Sequence, residues 1–255
     1  MKHSYLDLLF AHSFSAYVNN FRLISFFSVP FLLSLIVFSL AFPLPNFVSL
    51  GGIFLRFGSV QHDLAPLDFA VTAVAFLVSL FLFSFALAAV NVVIRSQRTL
   101  NKITEYEVQR VETATFKLFL LLLAAFLSIL VFNLLVADVQ VSSAGKQVPI
   151  GPLLGSLFAF IVSLAVLFAP QAVAVDDVQI QHAVSASFRT IKHQFPLFLF
   201  FMAFASLVLI LNAWAFQLLG FSLSRLLSTA VNGMIILPFL EVFKTQIYLS
   251  KYSLL

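Results

Sequence analysis

The sequence predicts an all-α polytopic membrane protein: six transmembrane helices with interfacial amphipathic helices between them, forming one integral membrane domain over residues 1–255. Three observations carry this. The chain is 62% hydrophobic and only 9% charged, whereas a soluble domain has roughly 45–50% apolar and about 25% charged residues. It cannot clothe a soluble globule. The charges also cluster, leaving uncharged stretches longer than the ~20 residues that cross a bilayer as a helix. Finally, the segments between those stretches carry a helical rather than a random pattern of apolar residues.

Reading between the charges places the spans at about 21–42, 69–94, 118–137, 150–175, 195–219 and 226–249. Pro43 and Pro45 end the first, since a residue before proline is pushed out of the helical region. The run after Phe21 is too long for a signal-peptide core and is expected to be an uncleaved span. Ser142-Ser143-Ala144-Gly145-Lys146 is a turn signal ahead of the fourth span. The sixth starts near Arg225 and continues through Glu241 and Lys244, with Pro238 expected to kink it.

Orientation follows from the basic residues. Lys2, Arg22, Arg95, Arg98, Lys102, Arg110, Lys117, Arg189, Lys192, Lys244 and Lys251 fall on one side, and Arg56, Lys146 and Arg225 on the other. Eleven against three places both termini in the cytoplasm of a cell membrane. The net charge of +4 comes from so few groups that it does not point to nucleic acid.

Two connecting segments are amphipathic. Ile180, Val184, Phe188, Ile191 and Phe195 form an apolar stripe, and Gln181, His182, Ser185, Arg189, Lys192 and His193 fill the other face. This pattern predicts an interfacial helix whose stripe lies in the headgroup boundary or on the bundle. Residues 4–20 are similar, with Leu6, Phe10, Phe14, Tyr17 and Phe21 on one side. Ser13-Phe14 to Asn20-Phe21 also matches Ser187-Phe188 to Gln194-Phe195, each followed at once by a Phe-rich span. Pro170 and Pro238 sit late in the fourth and sixth spans. With residues 100–116 as a poorer third copy, the layout reads as three repeats of one interfacial helix plus two spans.

The run Phe168-Ala169-Pro170-Gln171-Ala172-Val173-Ala174-Val175-Asp176-Asp177, followed by Ala183-Val184-Ser185-Ala186-Ser187-Phe188 and Lys192, resembles a recurring membrane pattern. A span ends in an acidic turn, and an Ala/Ser amphipathic helix with a terminal Lys leads into the next span. It is similar to the membrane domain of bacterial glycerophosphodiester phosphodiesterases and of related six-helix membrane proteins. The match covers about a quarter of the chain. The resemblance implies a fold and a membrane location; that family's chemistry resides in a separate soluble barrel with no counterpart in these residues.

Chemistry-bearing residues are few. Cys is absent, excluding thiolate chemistry and disulfides. The five His (His3, His12, His62, His182, His193) lie outside the spans without metal-ligand spacing. No nucleotide, hydrolase or zinc-protease motif is present. His62-Asp63 and Asp68 read as solvated loop residues. Asp176-Asp177 read as the start of the interfacial helix, where carboxylates complement the macrodipole. Glu241 and Lys244, three apart on one face, are the intramembrane ions, expected near the cytoplasmic end where Lys snorkels and Glu pairs with it. Asn91, Asn133, Asn212, Gln217 and Asn232 are expected to hydrogen-bond between helices. Gly151-x-x-x-Gly155 fits a close helix contact, and 33 Phe supply packing bulk.

The functional expectation is a non-enzymatic scaffold or accessory subunit, without cofactor or metal, acting through its cytoplasmic interfacial helices on a partner or on lipid organisation. The alternative is a transporter or channel-like permease for a lipid or other apolar solute, against which 8 Gly and scarce buried charge weigh. Candidate functional residues are Glu241, Lys244, Asn232, Asn91, Arg189 and Lys192. Expected partners are membrane lipids and either a membrane protein or a second copy of the chain.

Overall fold

The computed structural model describes residues 5–41, 66–97, 105–136, 139–143, 146–218 and 224–250. The elements are α1 (Tyr5–Asn19), α2 (Phe21–Ala41), α3 (Pro66–Gln97), α4 (Glu105–Val136), β1 (Gln140–Ser143), β2 (Lys146–Pro149), α5 (Gly151–Leu167), α6 (Ala169–Asp176), α7 (Ile180–His193), α8 (Phe195–Leu218), α9 (Ser224–Val231) and α10 (Leu237–Leu249). A π-helical turn over Asn232–Ile236 joins α9 to α10. Apart from the β1–β2 hairpin, the described elements are helical. That antiparallel hairpin, with Ser143 opposite Lys146, is what the turn signal before the fourth span builds.

Among the described residues, five helical stretches are long and apolar enough to cross a membrane: Ala73–Arg95, Glu107–Val136, Gly151–Asp176, Phe195–Leu218 and Leu226–Leu249. The α1–α2 pair, bent by 86°, passes the same test as a unit, which brings the number to six. Two spans are interrupted next to a proline, the sixth at the Pro238 expected to kink it, and another is longer than expected. The fourth breaks at Phe168 (φ −100°, ψ 3°), two residues before Pro170. The sixth widens into the π turn just ahead of Pro238, where the Leu237 amide reaches back five residues to the Asn232 carbonyl. A proline cannot donate to the residue four back, and both prolines sit in the first turn of the helix that restarts after the irregularity. The third begins at Glu105, so residues 105–116 continue the span as one unbroken helix rather than forming an expected separate interfacial segment.

Packing is cyclic at the end of the bundle where α3, α6 and α10 terminate. The helix α7 lies on α5 and α6, and the N-terminal α1 lies on the C-terminal α10. There Phe10 meets Phe239 and Phe243 edge-on, and Tyr17 meets Phe239. The span α4 packs along α3, and α2 packs on both α3 and the π turn. Deeper in the bundle, Ser34 and Ser79 exchange hydroxyl-to-carbonyl hydrogen bonds of 2.8 and 2.9 Å between α2 and α3. In an apolar medium such a pair satisfies both hydroxyls and holds two helices in register.

The two amphipathic helices share a local geometry. Each ends at a single non-helical amide residue, Asn20 or Gln194, whose carbonyl accepts from the fourth residue of the next span: Ile24 at 2.9 Å and Phe198 at 2.8 Å. Ser13 and Ser187 are both fully buried, and the Phe after each is exposed. In this register Ile24, Phe31 and Leu35 of α2 and Phe198, Ala205 and Leu209 of α8 occupy matching buried positions.

Candidate functional site

The central helix is α10. Every described residue from Leu240 to Ser250 is buried, and besides Tyr248 five of them are polar or charged: Glu241, Lys244, Thr245, Gln246 and Ser250. Such groups survive away from water only when their bonding is completed by neighbours. Here it comes from three different spans. Glu241 Oε2 accepts from Lys244 Nζ at 2.6 Å. Its Oε1 accepts from Asn91 Nδ2 of α3 at 2.6 Å and from Gln171 Nε2 of α6 at 2.7 Å. Asn91 also donates to the Leu87 carbonyl, while its own Oδ1 lies 2.6 Å from Thr245 Oγ1. The pair is therefore neutral overall and its carboxylate is held by three donors.

The side chain of Lys244 is 5% exposed and that of Glu241 4%. The expectation that Lys244 snorkels is thus corrected. An α10 wrapped by α1, α2, α3 and α8 leaves its long stem no path outward. Sequence reading paired Glu241 with Lys244 correctly. It missed Gln171 and Thr245, which look like ordinary polar residues until three spans converge on one depth.

A second layer ties the helix ends. Asp176 closes α6, and Asp177 follows as its cap in the left-handed region (φ 55°). They do not start the amphipathic helix α7, which begins at Ile180 after Gln179. Carboxylates at a helix C-terminus oppose the macrodipole, and cations offset this. Arg110 donates from Nε and Nη2 to the Ala174 and Val175 carbonyls, both at 3.1 Å. These are carbonyls that a helix end leaves without intrahelical partners. Lys117 Nζ bonds Asp177 at 2.9 Å, and the Tyr248 hydroxyl donates to Asp176 at 2.6 Å. The outcome is a belt joining α4, α6 and α10.

The five amides separate. Asn91 bonds between helices as above, and Asn212 of α8 donates to Ser228 of α9 at 3.1 Å. Asn133 instead donates to the Ile129 carbonyl of its own helix, with its Oδ1 against Gly155. Gln217 is exposed. Asn232 is 1% exposed with both side-chain polar atoms unpartnered, at the first residue of the π turn. The buried Gly151 and Gly155 place the predicted small-residue contact on α5, at the α4 interface.

Arg189 and Lys192 are exposed and lie apart from this network, on α7. The face of α7 that meets the bundle is not the expected stripe. It is the small-residue face Ala183, Ala186, Ser187 and Thr190, with Ser187 donating to the Leu164 carbonyl at 2.9 Å. Small side chains let the backbone sit close, so the larger residues are displaced to the flank. Ile180, Val184 and Ile191 are half-buried, and Phe188 and Phe195 point outward. The helix thus has three faces: small toward the protein, apolar at the flank and basic-polar beyond it.

His182 and His193 are exposed on α7. Among the described residues no three His, Asp or Glu side chains are grouped to hold a metal ion. His3, His62, Asp63, Lys2, Arg56, Arg98, Lys102 and Lys251 lie outside the described residues. Comparison with protein-family models, curated proteins and solved structures finds no match to this chain.

Proposed function

We propose that this protein is a non-enzymatic integral membrane scaffold that organises anionic lipid at the cytoplasmic surface of a cell membrane, through the outward faces of α7 and α1. The observation that carries the reading is the three-faced α7, with Arg189 and Lys192 exposed beside the outward Phe188 and Phe195. Aromatic rings at the acyl boundary next to cations at the headgroups are the chemistry of a helix lying in an anionic interface. The exposed Phe10, Phe14 and Phe21 of α1 supply a second apolar flank. In this reading both termini are cytoplasmic, as the basic-residue asymmetry favours.

The architecture is read as a triplicated unit closed into a ring. The second spans of the three units are α3, α5–α6 and α9–α10, and each gives the buried network one or more polar residues: Asn91, Gln171, and Glu241 with Thr245. The interfacial helix of each outer unit lies on the end of the preceding second span, α7 on α6 and α1 on α10. The network then serves as the axis that holds the interfacial helices in place.

The test is association of the purified protein with vesicles of pure phosphatidylcholine or of phosphatidylcholine with phosphatidylglycerol. Each basic residue near an anionic surface contributes about 1 kcal/mol. Replacing Arg189 and Lys192 together by Glu should therefore weaken enrichment of the anionic lipid by about tenfold or more at low salt, with unchanged thermal stability. Enrichment equal to that of the wild type would remove this face from the account. Solute flux that Glu241→Gln alters without altering stability would favour a permease instead.

A further inference from the structure

The polar side of α7 carries more than its two permanent cations. His182, Arg189 and His193 follow one another at spacings of seven and four, which on an α-helix is two turns and then one. They form a single line along the helix, with Lys192 one turn from Arg189 beside it. All four side chains are exposed. The elements packed against α7 are α4, α5, α6 and α8, and they place no free carboxylate against this line. Both α5 and α8 lack ionisable side chains. At the end of α6, Asp176 accepts from the Tyr248 hydroxyl and Asp177 is paired with Lys117. On α4, Arg110 is bonded to the last carbonyls of α6, while Glu107 and Glu112 line the side toward α2 and α3. Among the described residues, none of the four basic side chains is in an ion pair.

We infer that His182 and His193 make the hold of this face on anionic lipid headgroups proton-dependent, weaker near neutral pH and stronger in acid. The inference rests on the lipid-organising reading of α7 and gives that face its regulation. Imidazole is the side chain that gains its charge between about pH 8 and about pH 5. With both imidazoles neutral, Arg189 and Lys192 alone attract the headgroups, and protonation of both doubles the number of cations on the face. Each cation near an anionic surface strengthens binding about fivefold, so two raise it by more than about tenfold. The sign follows directly: added protons add positive charge opposite a negative surface, and the gain is lost as pH rises. A phosphodiester headgroup such as phosphatidylglycerol keeps its single negative charge over this range, so the change in binding belongs to the protein.

The experiment equilibrates the full chain in mild detergent with equimolar dioleoylphosphatidylcholine and dioleoylphosphatidylglycerol at low salt. Retained lipid is measured by mass spectrometry at about pH 8 and about pH 5. In the wild type, enrichment of the glycerol lipid should rise about tenfold or more on acidification. His182→Gln with His193→Gln should cut that rise about tenfold, with wild-type enrichment at the higher pH and an unchanged unfolding temperature. His182→Lys with His193→Lys should show strong enrichment at both pH values. A wild-type enrichment that does not rise in acid, or a rise of the same size in the Gln variant, overturns the proton dependence alone. No enrichment of the glycerol lipid at either pH would overturn the lipid reading of α7 and this inference with it.

Discussion

Replacing Lys244 by Met destabilises the protein by about 3–5 kcal/mol, because it leaves the Glu241 carboxylate charged and buried without its cation. Met has a similar stem, so packing is nearly kept and the loss is electrostatic. Adding Glu241→Gln to that variant recovers more than half of the stability. The amide removes the stranded charge, and its oxygen still accepts from Asn91 and Gln171, which otherwise become buried donors without an acceptor. Thermal unfolding of the three proteins in one detergent measures this. A Lys244→Met protein as stable as the wild type would mean that the lysine reaches water and that the network is not the axis of the bundle.

The second large effect is at Gly233, inside the π turn. A Cβ built there would lie 2.9 Å from Leu32 Cα and 3.1 Å from Leu32 N, so it meets the backbone of α2. Trimming a side chain cannot relieve such a contact, and Gly233→Ala is expected to cost about 1–3 kcal/mol. Gly155 is the contrasting case. Its Cβ would fall on Asn133 Oδ1, the tip of a side chain. Asn133→Ala should therefore rescue Gly155→Ala, whereas Leu32→Ala should not rescue Gly233→Ala. Unfolding midpoints of the single and double variants decide it, and rescue in both pairs would contradict the backbone approach at Gly233.

These two sites also mark where sequence reading reaches its limit. Hydrophobic run lengths and charge positions locate membrane-length helices because transfer of each residue into hydrocarbon is dominated by its own side chain. The Glu241–Lys244 pair was legible for the same reason: two ions three apart on a helix can only face each other. Gln171 and Thr245 were not, since their role depends on α3, α6 and α10 meeting at one depth. Asp176 and Asp177 were misplaced at a helix start. A carboxylate pair beside an apolar run fits either helix end until Arg110 and Lys117, about sixty residues away in the chain, are seen to offset it. On α7 the stripe Ile180-Val184-Phe188-Ile191 is expected either at the headgroup boundary or on the bundle, and its pattern does not say which. Periodicity finds the apolar side of a helix, but in a membrane both lipid and protein are apolar partners. The small residues Ala183, Ala186 and Ser187 decide which side packs on protein.

The most direct test of the central claim is purification of the chain at its native level in mild detergent, with protein and lipid mass spectrometry on the eluate. The account predicts that the protein emerges with anionic lipid enriched over the bulk membrane, and that the Arg189→Glu, Lys192→Glu variant loses this enrichment while unfolding at the same temperature. A co-purified lipid pool identical to the bulk membrane, in both wild type and variant, would contradict it.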